Sequence, residues 1–393
     1  MVWECHSRTR RHARWVREWG FPHHQRVFIN HGELALKVRA ALSDGKGSFL
    51  FDEIELGDPG PGEVMVRLHA SGVCHTDWDT MNRTDHIVLG HEGAGMVERV
   101  GEGVAHVAAG DRVVLNWAIP CGECFQCGLG NETLCETRVT VGEGRFRYRG
   151  QPIVPSFRLG TMVEATVVPA AAAVRIPDDI EIPFPSASIL GCGVMTGVGS
   201  VLNAAHVPEG ASVVVLGCGG VGLSVIQGAR IAGAERIIAI DLSEGRLEMA
   251  RRFGATHAVQ STRDDADLSQ AAERVRGMTD GRGADFAFEC VAIHALAAAP
   301  LRMIRHGGMA VGCSGIESTV PIDMKLFEWD KTYINPLYGQ CRPQRDFPRL
   351  LRLYGEGHLM LDEMVTRTYP LERLGDAYDD MHAGRNAKGV LLL

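Results

Sequence analysis

The sequence predicts an α/β protein in which a β-rich domain is joined to a doubly wound parallel sheet. Three observations predict it. From Leu36 the chain runs through short alternating strands punctuated by glycine and proline. From about residue 195 strands alternate with helices, the pattern of a parallel sheet covered on both faces. At the start of that second region VVVLGCGGVG runs from an apolar β-branched strand straight into a glycine-rich turn. A chain of 393 residues has room for about two domains with separate cores.

In the first region LALKVRAAL and FLFDEIEL read as alternating strands, PGPGE as a turn, and VMVRLHASGV, AGMVERVG and GDRVVLNW as further strands. In the second, VVVLG, RIIAID, HAV, GADFAFEC and GGMAVGC are expected strands. Helices are expected over LSVIQGARIAG, EGRLEMARRFG, a polar segment after HAV, and HALAAAPLRMIR. The tail from about Pro343 holds a helix, the segment YPLERLGDAYDDMHAG and an apolar end, GVLLL. Residues 1–35, opening MVWECHSRTRRHARWVREW, are rich in arginine and tryptophan without periodicity, and read as an extension outside the fold.

A charged content of 22% with 45% hydrophobic residues is that of an ordinary globular chain, and no run of 18 apolar residues predicts a membrane span. The net charge of −8 gives no reason to expect a nucleic-acid partner. Eleven cysteines in a chain this long, without a secretory leader, argue for reduced thiols in a cytoplasmic protein, several of them on metal.

Gly217, Gly219 and Gly222 fit G-x-G-x-x-G, and with Gly220 and Val221 they are the candidate cofactor-binding loop. The first glycine permits the tight turn, the second lets a pyrophosphate approach the backbone, and the third lets helix and strand pack closely. Phosphates then sit at a helix N-terminus, where free N–H groups point outward. Asp241 ends the next strand, where a carboxylate accepts hydrogen bonds from ribose hydroxyls and repels a 2′-phosphate; NAD rather than NADP is the expected cofactor. Arg246 is a candidate to help hold that ribose, and otherwise a solvated helix residue.

PCGECFQCGLGNETLC spaces Cys121, Cys124, Cys127 and Cys135 so that four thiolates can close a tetrahedral shell around zinc. A closed shell leaves no open position, so this metal is expected to be structural. The stretch SGVCHTDWDTMNRTDHIVLGHEG holds one cysteine and three histidines, and taken alone every one of them is a candidate ligand.

These two stretches, GCGVMTGVGS and LGCGGVG occur in one order, and together they resemble the zinc-dependent alcohol dehydrogenases of the medium-chain dehydrogenase/reductase superfamily, close to the class III, formaldehyde dehydrogenase-like branch. The resemblance implies a GroES-like catalytic domain over 36–194, a Rossmann NAD-binding domain over 195–340, and a return to the catalytic domain over 341–393. It implies a homodimer or homotetramer acting on a small alcohol or aldehyde.

By the same resemblance the catalytic zinc ligands are Cys74, His91 and Cys192, with a fourth position open to substrate. Glu92 corresponds to a glutamate that can approach the metal, Asp77 to the carboxylate orienting His91, and Thr76 to the hydroxyl that takes the alcohol proton. His75 and Lys388 fall where positive charge meets the cofactor pyrophosphate. Trp117 falls beside the substrate carbon, where an indole narrows the pocket and favours primary alcohols; Arg158 falls at another pocket position, either facing an anionic group or exposed. Asp79 stands where many relatives carry a relay histidine, and the interval from Cys74 to His91 is short. The implied activity is NAD-dependent interconversion of primary alcohols and aldehydes. The rival is oxidation of S-hydroxymethyl adducts of glutathione or mycothiol, for which Arg138 lies near, though out of register with, an anion-binding arginine.

Overall fold

A computed structural model describes residues 36–82, 85–316 and 319–393; the expected extension, 1–35, lies outside the described residues. Two sheets form the β-rich part. In the first, strands Leu36–Ser43 and Phe49–Leu56 form an antiparallel pair over their full length, flanked by Ile87–Val88 and Phe146–Tyr148. In the second, Glu63–Gly72 lies centrally, with Glu92–Val100 on one side and the last strand of the chain, Lys388–Leu392, on the other. Val38, Leu42, Ile54, Leu68, Val113 and Phe146 share one buried cluster, which the alternation in these strands directs inward.

The third sheet is parallel. Its strands Ser212–Leu216, Arg236–Asp241, His257–Gln260, Ala284–Glu289, Ile304–Gly312 and Thr332–Ile334 lie in the spatial order third, second, first, fourth, fifth, sixth. That is the doubly wound order, with a crevice at the switch point outside the carboxyl ends of the first and fourth strands. Val213 and Val215 pack into one core and Val214 and Leu216 into another, so both faces are covered, as the unbroken apolar run predicts. The GVLLL tail does not extend this sheet: Val390, Leu391 and Leu392 pair with Gly72, Ser71 and Ala70 in the β-rich part.

Element bounds follow the expectation closely, with one correction. The helix expected through HALAAAPLRMIR is two short pieces, a 3-10 turn at His294–Leu296 and a helical turn at Pro300–Met303. Pro300 has no N–H to continue a ladder from the preceding turn, so it starts a new piece. Among the described residues no single helix is long and apolar enough to cross a membrane.

Gly217 has φ +89°, and a Cβ on Gly222 would run into the Gly217 carbonyl oxygen, whereas one on Gly219 would meet nothing. Turn and packing thus demand the first and third glycines, and the second is left with clearance above the loop. Gly222→Ala is expected to destabilise by about 1–3 kcal/mol or more through overpacking, while Gly219→Ala keeps the wild-type melting temperature; thermal denaturation of the two variants checks this.

Candidate functional site

Strand pairing assembles the first cluster. In the second sheet Gly72 is the register partner of both Glu92 and Val390, which brings the ends of three strands together. Cys74 follows the first strand and caps the helix His75–Thr80 in extended conformation. His91 immediately precedes the second strand, and Gly90 before it has φ +96°, with no room for a Cβ between Met162 and Thr161. Cys192, a hundred positions on, caps the helix Gly193–Gly199. The ligand atoms of Cys74, His91, Glu92 and Cys192 all lie within 4.8 Å of one another.

His91 Nδ1 lies 2.8 Å from Asp77 Oδ1, and both residues are buried. A carboxylate there fixes the proton on Nδ1, which leaves the Nε2 lone pair aimed at the sulfurs. That Nε2 is buried without a protein partner, and so is Glu92 Oε2. Two sulfurs and an imidazole nitrogen, with a buried nitrogen lacking any other acceptor or donor, fit a zinc ion. The hydrogen bond between the two thiols holds Cys74 well below the usual thiol range and pushes Cys192 well above it. Burial pushes the Asp77 carboxyl up and raises Glu92 to about 7, against the pull of Lys388.

Lys388 lies between the first cluster and the glycine-rich loop. Its ammonium is turned inward, 2.7 Å from Glu92 Oε1 and 3.2 Å from the Val73 carbonyl, because the last strand enters the sheet beside Gly72. Its stem instead reaches the cofactor loop, with Cδ 3.0 Å from where a Gly220 Cβ would stand. The metal-type cluster and the glycine-rich loop are therefore in contact through one side chain.

Around that loop, Asp241 Oδ2 accepts from the Cys218 backbone N–H at 2.8 Å and Oδ1 from Ser243 N–H at 3.0 Å, which fixes the carboxylate at the carboxyl end of its strand. Arg246 Nη1 lies 3.8 Å from Asp241 Oδ2. Val221, in the first turn of the helix Gly220–Ile231, packs its Cγ2 3.7 Å from a Cβ position on Gly193, the residue after Cys192. His75 is exposed and edge-on to His382 at 5.6 Å. Thr76 Oγ1 is half-buried, 3.7 Å from Cys74 Sγ. Asp79 is exposed. His86, unassigned from the sequence, bonds the Ser43 carbonyl through Nδ1 at 2.8 Å and packs on Tyr148.

One wall of the cluster is aromatic. The Phe157 ring centroid stands 4.9 Å from that of His91 and 5.5 Å from that of Trp117, and the Tyr338 ring packs on Trp117 at 4.5 Å. Phe157 and Tyr338 were not singled out in the sequence; both have positive φ, which no sequence pattern announced. Arg158 donates from Nη2 to the Trp117 carbonyl at 3.1 Å, and its half-buried guanidinium lies within electrostatic reach of Arg138.

The second cluster is Cys121, Cys124, Cys127 and Cys135, whose sulfurs also lie within 4.8 Å of one another. Backbone N–H groups of Cys121, Cys124 and Glu136 point at sulfurs at 3.3–3.5 Å. Those from Glu123 and Cys124 lower Cys121 to about 6, while burial raises Cys127 to about 12. The loop is pinned by Arg342, which donates to the Gly130 carbonyl at 2.7 Å and lies where a Gly130 Cβ would be.

Comparisons with known proteins show the family. The alcohol dehydrogenase GroES-like domain matches residues 60–178, and the zinc-binding dehydrogenase domain matches residues 220–356. A protein named putative alcohol dehydrogenase D from Mycobacterium tuberculosis is 37% identical over 376 residues, 90% of this chain and 98% of its own. One named NDMA-dependent alcohol dehydrogenase, from Amycolatopsis methanolica, is 37% identical over 91% of this chain and 99% of its own. An S-(hydroxymethyl)glutathione dehydrogenase of Escherichia coli is 35% identical over 91% of this chain and 100% of its own. The solved structure of an alcohol dehydrogenase zinc-binding domain protein from Burkholderia ambifaria superposes with a TM-score of 0.84 at 31% identity, covering 91% of this chain and 99% of that one. The chain belongs to the zinc-dependent alcohol dehydrogenases of the medium-chain dehydrogenase/reductase superfamily, near the class III branch.

Proposed function

We propose that this protein interconverts primary alcohols and aldehydes with NAD(H), using one zinc held by Cys74, His91 and Cys192 and a second, structural zinc held by Cys121, Cys124, Cys127 and Cys135. The observation that carries the reading is Lys388, whose side chain touches both the first donor cluster and the start of the glycine-rich loop. A metal site and a dinucleotide site in contact are what hydride transfer at a polarised oxygen requires. Zinc supplies Lewis-acid polarisation of that oxygen, and nicotinamide supplies the hydride acceptor or donor.

The chain's own groups do the rest. Asp77 holds the His91 ring in the tautomer that presents Nε2. Thr76 offers a hydroxyl beside Cys74 to take the alcohol proton, and Glu92 keeps a second carboxylate oxygen unpaired beside the sulfurs. The N–H groups at the start of the helix Gly220–Ile231 receive phosphate, and Asp241 receives the ribose hydroxyls. Trp117, Phe157 and Tyr338 make a wall that suits an unbranched alcohol. The protein is proposed to work in the cytoplasm as a homodimer or homotetramer.

A second reading is supported by the relative named S-(hydroxymethyl)glutathione dehydrogenase: oxidation of hydroxymethyl adducts of glutathione or mycothiol. The relative named NDMA-dependent supports a variant in which nicotinamide stays bound and an artificial acceptor is needed. Turnover of ethanol and benzyl alcohol, against formaldehyde with and without each thiol, decides between the first two when followed by NADH absorbance. Nicotinamide in the purified protein, with no activity on added NAD alone, marks the variant.

Three outcomes are expected. Metal analysis should find about two zinc per chain, one per donor cluster; Cys192→Ser should lose one of them and keep a cooperative thermal transition, and Cys127→Ser should lose the other. Thr76→Ala should lower kcat about 100-fold or more, with Thr76→Ser retaining most of the activity in the same assay. Lys388→Met should destabilise by about 3–5 kcal/mol, because Glu92 is left buried without a partner. Adding Glu92→Gln should recover much of that loss, which a double-mutant cycle in urea measures.

A further inference from the structure

Tyr338 belongs to no motif and has a specific attachment to the site. It is 2% exposed, and its hydroxyl donates to the Gly191 carbonyl at 2.5 Å. Gly191 is the residue before Cys192, whose own backbone sits at φ −147°, ψ −86°, between two helical pieces. The peptide that orients the Cys192 sulfur is therefore tied down by a side chain 147 positions away in the sequence.

The turn Leu337–Gln340 that carries Tyr338 is held in a costly shape. Tyr338 and Gln340 have positive φ, 53° and 51°, a conformation that residues with a side chain keep only where the surroundings impose it. Gly339 is pressed against the helix Gly193–Gly199, with no room for a Cβ beside Gly199 Cα and Met195 O at 2.7 Å. The turn begins three residues after Ile334, the end of the last strand of the parallel sheet. So the nucleotide-binding sheet delivers Tyr338 to the metal-type cluster. The ring does a different job from the hydroxyl: it packs on Trp117 at 4.5 Å with a 38° tilt and backs the aromatic wall.

We propose that Tyr338 is a positioning residue with two separable parts, its hydroxyl fixing the Gly191–Cys192 peptide and hence the third metal donor, and its ring setting the depth of the substrate wall through Trp117. The proposal rests on the reading that Cys74, His91 and Cys192 hold zinc. A residue that merely fills space would leave Tyr338→Phe indistinguishable from wild type, whereas here loss of the hydroxyl alone has a consequence.

The experiment uses zinc-loaded full-length protein. Zinc release to excess chelator is followed with a chromogenic indicator, and kcat/KM is compared for ethanol and propan-2-ol. Wild type is expected to release two zinc ions in separate phases, one per cluster. Tyr338→Phe is expected to speed one phase about 10-fold to 100-fold, as loss of an outer partner of a metal ligand does. It should leave the other phase and the preference for ethanol unchanged. Tyr338→Leu is expected to speed the same phase and also to lose much of that preference. The proposal is overturned if Tyr338→Phe releases both ions at the wild-type rate, if it speeds both phases equally, or if it alters the preference as much as Tyr338→Leu does. Wild type that holds only the four-cysteine zinc overturns the metal reading instead, and this inference falls with it.

Discussion

The buried ion pair between Glu92 and Lys388 is the constraint on which the rest of the site depends. Both side chains are almost wholly shielded from water, and the charges meet at 2.7 Å. Either alone in that position would be an uncompensated buried charge, so each requires the other. Their meeting is a consequence of sheet register, because Gly72 pairs with Glu92 on one side and Val390 on the other. Gly72 itself must lack a side chain, since a Cβ there would collide with the Glu92 carboxylate. The closing strand of the chain thus supplies the partner of a carboxylate 296 positions earlier.

From that pair the site extends in two directions. On one side, Glu92 stands beside Cys74, His91 and Cys192, with Asp77 behind the imidazole and the aromatic rings of Phe157, Trp117 and Tyr338 beyond it. On the other, the Lys388 stem lies on Gly220, and the helix starting there packs beside the helix that starts after Cys192. The metal-type cluster and the glycine-rich loop thus meet through packed side chains. The four-cysteine loop is separate in kind: its sulfurs face backbone N–H groups, and it is anchored to the tail by Arg342.

Local chemistry was legible in the sequence and long-range pairing was not. Cys121 to Cys135, and the strand–glycine–helix passage at Gly217 to Gly222, are contiguous, so spacing alone reveals them. The short stretch from Cys74 to His91 carries two donors but does not say which histidines are structural; only the fold shows that His86 serves the Ser43 carbonyl. Lys388 was placed near the cofactor by resemblance, but its partner Glu92, 296 positions away, could not be seen from the sequence. Tyr338 and Phe157 escaped for another reason: their backbone conformations are set by tertiary packing and leave no periodicity behind. Arg342, beside a proline that opens a helix, belongs to no motif, and only the fold lays it on Gly130.

The central claim is that the metal donors and the dinucleotide loop form one coupled centre joined at Lys388. The most direct measurement is NADH affinity, by fluorescence titration, of protein loaded with zinc in both clusters and of protein stripped of the zinc at Cys74, His91 and Cys192, each in wild type and in Lys388→Met. The account predicts that the two wild-type affinities differ and that the difference disappears in Lys388→Met. Equal affinities in wild type with and without that zinc would contradict it.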